Sequence, residues 1–280
     1  MVNIPKDLSD LLQAMATDFP AILRANLVGI YLWGSLTNDA FDETCSDVDC
    51  VAVTRRDPDD YEFSELNGWF ENQKKQNPWV GRIDMRFVID HEFLDKSSQC
   101  CGFYPYMGKL VRHGSDGNPI IWINVAQSGI TLWGKDAKLI APHVSARCLN
   151  DALMLELKYL KQDLSFNAGE RSDRAFIHNA YAVLTACRIL YTSRHRTLAS
   201  KDRACAWAME AVPPMWRAVI HRAKDNRLKN GGSTTSRLER EATGFVGFVT
   251  GEVSRILRHS NSTRPITHPR DSAKPRQVNV

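Results

Sequence analysis

The sequence predicts an α/β N-terminal domain, a small mixed sheet with helices, followed by an all-α helical-bundle domain. Short apolar runs in the first half indicate buried strands. After about residue 144, apolar residues recur only at three- and four-residue spacing, which indicates amphipathic helices. The end of the chain is rich in Ser, Thr, Pro, Asn and Arg. We therefore expect a first domain at 1–144, a helical domain at 145–258 and a disordered tail at 259–280.

The first domain combines helical and strand patterns. Apolar residues from Leu8 to Leu23 recur at three- and four-residue spacing, so they form one stripe of a helix. Other apolar runs are too short for typical helices and are typical of strands. A later stretch holds several glycines and a proline, which favour loop. The predicted elements are helices at 6–25 and 59–76, strands at 27–33, 48–54 and 82–89, and mostly loop at 90–118.

The second domain shows helical periodicity throughout. Leucines from Leu149 to Leu164 and apolar residues from Ile177 to Tyr191 follow it, as do Phe245 to Val253. A further helix begins near Ala204 and ends by Pro213, because proline cannot continue a helix. Proline is well tolerated at the first position of the next helix, so the Pro213-Pro214 pair also predicts a new start.

Composition limits the classes of function. The net charge of +4 is mild, and the basic residues are not gathered into one dense block, so we expect no nucleic-acid partner. The seven cysteines form no C-x-x-C pair, so we expect reduced thiols and neither zinc nor a disulfide framework. There is no signal-peptide pattern and no apolar run of membrane-spanning length. We expect a cytoplasmic protein with no membrane partner.

The segment most informative about chemistry is Gly34-Ser35, followed after eleven residues by Asp47-Val48-Asp49. The first predicted strand ends at Gly34-Ser35, and two acids open the second. Side chains two positions apart on a strand share a face, so Asp47 and Asp49 can converge on one cation. Gly34 lets the backbone approach a phosphate, and the hydroxyl of Ser35 can bind the β- or γ-phosphate.

This arrangement is the one that nucleotidyl transfer needs. A hydroxyl attacks the α-phosphorus of a nucleoside triphosphate, and pyrophosphate leaves. Mg²⁺ prefers oxygen ligands and commonly takes one or two carboxylates together with substrate phosphates. A metal pair can stabilise both the attacking and the leaving oxygen. The residues therefore predict a magnesium-dependent nucleotidyltransferase with a two-metal mechanism and a nucleoside triphosphate as co-substrate.

The Gly-Ser and Asp-x-Asp pattern resembles the polymerase-β-like nucleotidyltransferase superfamily. That superfamily carries a third carboxylate on a later strand, and Asp84 lies at the matching point. The segments 184–191, 199–202, 206–210 and 245–252 resemble the helical domain of the streptomycin/spectinomycin adenylyltransferases, and 129–134 suits the junction between the domains. The resemblance extends over about 5–258.

The resemblance implies a role for each matching residue. Asp47 and Asp49 would bind magnesium, and Ser35 and Ser46 would contact the triphosphate. Asp84 takes the place of a glutamate that serves as catalytic base, and it is also a predicted metal ligand. Two basic residues of the helical domain that reach the phosphates match Arg188 and Lys201. The nucleotide-contacting tyrosine of the last helix is replaced by Phe248.

The predicted reaction is transfer of AMP from ATP to a hydroxyl of an aminoglycoside-like molecule, a function in antibiotic resistance. The family's acceptor-binding stretch does not align with 166–173 here. A nucleotidyltransferase with another small-molecule or protein acceptor therefore stays open, as does a nucleotide-binding regulator on the same fold. The intact Gly34, Ser35, Asp47 and Asp49 favour an enzyme. The acceptor's identity, the nucleotide preference and the oligomeric state are not predicted.

Overall fold

The computed structural model describes residues 4–95, 100–105, 107–112, 118–166, 173–227 and 235–259. The chain divides into two compact units, with the division between Val144 and Ser145. The first is an α/β unit and the second is helical, so the predicted fold class is confirmed. The predicted disordered tail lies, from residue 260 on, outside the described residues.

The first unit contains one six-stranded mixed sheet with the order β5-β4-β3-β2-β1-β6. Strands β2 and β3 are parallel, and the other neighbouring pairs are antiparallel. The strands are β1 (Leu27–Trp33), β2 (Val48–Thr54), β3 (Ile83–Ile89), β4 (Gly102–Tyr104), β5 (Lys109–Val111) and β6 (Ile130–Gly134). The helices are α1 (Lys6–Leu23), α2 (Asp60–Lys74), α3 (Pro119–Ser128) and α4 (Ala137–Ile140). Single 3₁₀ turns span Arg24–Asn26, Gly34–Thr37 and Pro78–Arg82.

The predicted patterns account for the main elements of this unit. The apolar stripe of α1 is buried along its whole length and joins the main core. Strand β3 alternates buried Ile83, Met85 and Phe87 with half-buried Asp84 and Arg86, so the two faces differ as predicted. Helix α2 starts at a capping box, in which Asp59 accepts from the Glu62 N–H and Glu62 accepts from the Asp59 N–H.

The prediction of mostly loop at 90–118 is wrong in one respect. Strands β4 and β5 lie in this stretch and extend the sheet beyond β3. Each has three residues, which is too short for an alternating pattern to be visible in the sequence. Phe103 nevertheless faces the core, where its ring stacks on Phe70 with centroids 4.1 Å apart.

The second unit consists of helices, and its described residues include no strand. Buried leucines of the first helix lie at the predicted helical spacing. Ser200 caps the N-terminus of a later helix by accepting from the Arg203 N–H, and Pro214 opens the next one. The helices are α5 (Ala146–Phe166), α6 (Asp173–His195), α7 (Lys201–Ala211), α8 (Pro214–Arg227) and α9 (Thr235–His259). No described helix is long and apolar enough to cross a bilayer.

Candidate functional site

Three neighbouring strands bring two of the predicted acids into register. Asp49 on β2 is paired with Trp33 on β1 and with Asp84 on β3. Residues that are directly opposite on neighbouring strands share one face of a sheet. Asp49 and Asp84 therefore lie side by side at the start of β2 and β3, next to the end of β1. In the sheet, β2 lies between β1 and β3.

Gly34 lies directly against Asp49. Its φ is +77°, a conformation that side chains rarely adopt, and a Cβ added there would lie 2.0 Å from Asp49 Oδ2. The Gly34 carbonyl accepts from the Thr37 hydroxyl at 3.1 Å and from the Asn38 amide at 2.9 Å. These bonds hold the turn that follows β1. The absence of a side chain at Gly34 is thus what leaves room for the carboxylate of Asp49.

A tight loop connects this turn to β2 and delivers Ser46 and Asp47. Asp42 Oδ1 accepts from the Thr44 N–H at 2.9 Å and from its hydroxyl at 2.6 Å. Ser46 is buried, and its hydroxyl accepts from the Asp42 N–H at 2.9 Å. Asp47 follows as an exposed residue directly before β2. The loop therefore closes on itself and presents Asp47 at the same end of β2 as Asp49.

Arg82 ties the same loop to the start of β3. Its guanidinium donates to the carbonyl of Glu43 at 2.6 Å and to the carbonyl of Ser46. It also lies over the ring of Trp79, 4.3 Å from the ring centroid. An arginine that holds two backbone carbonyls fixes the loop's path. The position of Asp47 relative to Asp84 is set by this contact.

The carboxylate of Asp84 is held by Arg86, two residues further along the same strand. Arg86 Nε lies 2.8 Å from Asp84 Oδ1, and the terminal Nη2 lies 3.2 Å from Oδ2. Arg86 Nη1 donates to the Tyr104 hydroxyl at 3.0 Å, and the guanidinium lies 4.3 Å from the centroid of that ring. Asp84 is thus oriented by a polar chain that runs across β3 and β4.

The negative field of Asp49 and Asp84 extends into the core beneath them. Cys50 follows Asp49 and is fully buried on the opposite face of β2. Burial raises the pKa of its thiol well above the ordinary value, and the charges of Asp49 and Asp84 raise it further. Cys50 therefore stays a neutral thiol, and the charge at this end of the sheet comes from the carboxylates.

The carboxylates are close without forming one compact ligand cluster. Among the described residues, a group with donor atoms all within 4.8 Å of one another occurs at Asp57, Cys100 and Cys101, and not at the three predicted acids. At that group the Cys100 thiol donates to Asp57 Oδ1 at 2.9 Å. The adjacent Cys101 and burial raise the pKa of Cys100, which disfavours the thiolate that metals need.

The end of β1 and the start of β2 and β3 suit a bound cation and its phosphates. The donor oxygens come from Asp47, Asp49 and Asp84, the type of ligand that Mg²⁺ takes. Beside them, Gly34 leaves space that a Cβ would fill. Trp33 lies opposite Asp49 in the register of β1 and β2. Its indole N–H is buried and has no acceptor among the described residues. The residues present therefore fit a magnesium–phosphate group.

The two predicted basic residues of the second unit both lie near one tyrosine. Lys201 Nζ lies 5.3 Å from the centroid of the Tyr181 ring. Arg188 follows Tyr181 by two helical turns on α6, and its Nε donates to the Ala199 carbonyl at 3.1 Å. Burial raises the pKa of Tyr181 to about 12; the charge of Glu156 adds to this shift, and that of Arg188 opposes it. Within the second unit, Lys201 thus lies against Tyr181, and Arg188 is near enough for its charge to affect the same tyrosine.

The structure adds residues that sequence reasoning missed. Arg86 binds Asp84, Tyr104 accepts a hydrogen bond from Arg86, and Tyr181 lies beside Lys201. Two charged residues at i and i+2 of a predicted strand signal a shared face, so the Asp84–Arg86 pair had a visible pattern. Tyr104 had none, because β4 was hidden in a glycine-rich stretch. Phe248 stacks on Trp216 with ring centroids 5.6 Å apart.

Comparison with known proteins agrees with this architecture. Residues 141–252 match the family described as "Aminoglycoside adenylyltransferase, C-terminal domain". A spectinomycin 9-adenylyltransferase of Campylobacter jejuni is 22% identical over 249 residues, which cover 85% of this chain and 92% of that protein. An aminoglycoside (3'') (9) adenylyltransferase of Klebsiella pneumoniae is 35% identical over 75 residues, which cover 27% and 28% of the two chains.

A solved structure shares the fold of nearly the whole chain. It is the spectinomycin adenyltransferase AAD(9) from Enterococcus faecialis with ATP and spectinomycin. The TM-score is 0.66 at 15% identity, and the match covers 90% of this chain and 100% of that one. The α/β unit with its acid pair, the matched helical unit and the relatives agree with one another. The helical unit therefore matches the C-terminal domain family of the aminoglycoside adenylyltransferases, and most of the chain is similar to a spectinomycin 9-adenylyltransferase.

Proposed function

We propose that this protein transfers AMP from ATP to a hydroxyl group of an aminoglycoside-like molecule. The relatives that match over most or part of the chain are named as adenylyltransferases of spectinomycin or aminoglycosides. The observation that carries the proposal is the position of Gly34 against Asp49, with Asp84 in register on the next strand. Nucleotidyl transfer needs this combination of a backbone without a side chain and adjacent carboxylates.

Asp47 and Asp49 would hold Mg²⁺, with Asp84 as a third ligand, in a two-metal arrangement. When bound, the ion neutralises the charge on the phosphate oxygens and stabilises the leaving pyrophosphate. Asp49 is the best-placed ligand, since its Oδ2 lies over Gly34. Asp47 is exposed and can turn toward Asp49, because both lie at the same end of β2.

Asp84 would receive the proton that the acceptor hydroxyl loses. The acceptor oxygen forms a bond to the α-phosphorus while the bond between that phosphorus and the bridging oxygen breaks, and pyrophosphate leaves. A general base needs to be within hydrogen-bond reach of the proton, directly or through one water. Asp84 is one methylene shorter than glutamate, so relay through a water is the expected route.

Each unit contains residues that are proposed contacts of the triphosphate. Gly34 and Ser35 lie in the turn after β1, where backbone N–H groups and the serine hydroxyl can donate to phosphate oxygens. Ser46 is a further predicted contact, and its hydroxyl keeps its proton to donate while accepting from Asp42. Arg188 and Lys201 are the proposed cationic phosphate ligands of the helical unit.

The proposal is tested by incubating the chain with Mg²⁺, each nucleoside triphosphate and a panel of aminoglycosides. We expect pyrophosphate release with ATP and at least one aminoglycoside, and a product whose mass increases by one adenylyl group. If pyrophosphate is released only with a different class of acceptor, the proposed reaction stands and the proposed acceptor class is wrong. Release with none, under conditions in which ATP binds, would favour a nucleotide-binding regulator instead.

A further inference from the structure

The side chain of Arg86 binds both carboxylate oxygens of Asp84. Arg86 Nε donates to Oδ1 at 2.8 Å and Nη2 to Oδ2 at 3.2 Å. Both side chains are about a fifth exposed, at 21% for Arg86 and 23% for Asp84. Two parallel N–H···O bonds fix the plane of a carboxylate as well as its position. The orientation of Asp84 is therefore not left to its own rotamer preference.

Arg86 is in turn held by groups on the neighbouring strand. Its Nη1 donates to the Tyr104 hydroxyl at 3.0 Å, and its guanidinium lies 4.3 Å from the centroid of that ring. Gly102, which pairs with Arg86, leaves space for the same ring: a Cβ there would lie 3.1 Å from the Tyr104 hydroxyl. Gly102, Tyr104 and Arg86 thus form one packed support behind Asp84.

The contact leaves Asp84 able to act. An ionised carboxylate has about four lone-pair sites, and the guanidinium uses one on each oxygen. One site on each oxygen remains for a cation, a water or an acceptor proton. Arg86 therefore orients the Asp84 carboxylate and leaves one lone-pair site on each oxygen accessible. A lysine could not do the same, because a single ammonium group lacks the planar fork that holds two oxygens.

We propose that Arg86 is a positioning residue for the adenylyl transfer, acting by fixing the plane of the Asp84 carboxylate. The proposal rests on the proposed function, since it assigns Arg86 to the same site. Arg86 acts through Asp84 and does not itself bind the phosphates. Tyr104 contributes by holding the guanidinium of Arg86 in place.

Arg86→Lys tests the geometry because it keeps the charge and removes the fork. We expect kcat to fall about 10- to 100-fold, a typical loss when the residue that orients a ligand is replaced. The KM for ATP should stay within about twofold, because the phosphate ligands are unchanged. Tyr104→Phe should lower kcat by a smaller factor. Arg55→Lys, an exposed arginine elsewhere in the first unit, serves as control and should leave both constants unchanged.

A double-mutant cycle shows whether Arg86 acts through Asp84. In an Asp84→Asn background, for which we expect a low but measurable kcat, Arg86→Lys should cause no further loss of kcat, because the carboxylate to be oriented is absent. Equal losses in both backgrounds would overturn the proposal and indicate that Arg86 contacts the substrate directly. An increase in the KM for ATP with kcat unchanged would overturn it as well.

A crystal structure of Arg86→Lys decides the assignment without any turnover. We expect the Asp84 carboxylate to rotate or lose order while β3 stays in place. An unchanged, well-ordered Asp84 would overturn the proposal even in an active enzyme. If the wild-type protein adenylylates none of the acceptors offered, the proposed function fails, and this structural comparison still decides whether Arg86 fixes Asp84.

Discussion

Gly34, directly after β1, lies so close to Asp49 on β2 that a methyl group on the glycine would overlap the carboxylate. The added Cβ would be 2.0 Å from Asp49 Oδ2, and Gly34 has a φ of +77°. The glycine is therefore required twice, for the backbone conformation and for the space. This pair connects the end of β1 to the acid that is most central to the proposed site.

Gly34→Ala should abolish turnover and weaken the fold. The methyl group displaces Asp49, and the left-handed conformation costs an L residue about 1–2 kcal/mol. We expect kcat at least about 100-fold lower, since a displaced carboxylate no longer fits the reacting groups. Urea denaturation and steady-state kinetics measure the two effects.

Gly68→Ala is the matched control for Gly34→Ala. Gly68 lies on α2, and an added Cβ meets nothing within 4 Å. Alanine in an exposed helix interior should stabilise the protein by about 0.5–1 kcal/mol relative to glycine, with activity unchanged. A Gly34→Ala variant with the activity of this control would contradict the close approach of Gly34 and Asp49.

Substitution of Asp84 separates its two possible roles. Asp84→Ala should lower kcat by about 100-fold or more, because the variant loses the proton acceptor and a metal ligand together. Asp84→Glu should keep or raise activity if Asp84 acts as base, since the longer side chain reaches further. A tight octahedral metal site should instead reject the longer carboxylate. Normal turnover by Asp84→Ala would show that Asp84 is neither the base nor a required metal ligand.

Lys201→Ala tests the second unit. Lys201 is predicted to bind phosphate, so its loss should weaken ATP binding by about tenfold, corresponding to roughly 1.4 kcal/mol. Binding of the acceptor alone should not change. Calorimetry with ATP measures this, with Lys161→Ala, an exposed lysine of α5, as control. Equal ATP affinity in the two variants would show that Lys201 does not bind phosphate and is only a solvated residue at the start of α7.

Tyr31→Phe should stabilise the protein. Tyr31 is fully buried, and its hydroxyl has no partner among the described residues. A buried group without a hydrogen bond is costly, so its removal should raise the free energy of unfolding by about 1 kcal/mol. Urea denaturation measures the change, with the exposed Tyr61→Phe as control. A less stable Tyr31→Phe would show that the hydroxyl is satisfied.

The same substitution should change the response to alkaline pH. Burial, with a contribution from the charge of Asp136, raises the pKa of Tyr31 to about 12. An unfolded tyrosine ionises near pH 10, so between about pH 10 and 12 the unfolded chain loses its proton first. The wild-type protein should therefore lose stability relative to Tyr31→Phe as pH rises through this range.

The sequence predicted the elements whose patterns are long. Six or more residues of strand or helix pattern were enough for α1, β1, β2 and β3. The three-residue strands β4 and β5 could not be recognised, because a strand that short shows no alternation. They are held by pairing in the sheet, β4 with β3 and β5 with β4, and the first of these pairings joins residues that are distant in sequence.

The site was predictable in part for the same reason. The spacing of Asp47 and Asp49 and the phase of Asp84 follow from strand geometry alone, and the register of β2 with β3 agrees with them. The pair of Asp84 with Arg86 lies within one strand, whereas Tyr104 reaches Arg86 only because β4 lies beside β3. The contact of Gly34 with Asp49 likewise needs the register of β1 with β2.

The most direct test of the account is pyrophosphate release by the wild-type protein and Asp49→Asn, measured with ATP, an accepted aminoglycoside and increasing Mg²⁺. The amide keeps the shape of Asp49 and removes the charge that holds the cation. Asp10→Asn, an exposed acid on α1, serves as control. We expect magnesium-dependent release by the wild type and the control, and none above background by Asp49→Asn with an unchanged unfolding transition. Near-normal, magnesium-dependent release by Asp49→Asn would contradict the assignment of this end of the sheet as the catalytic site.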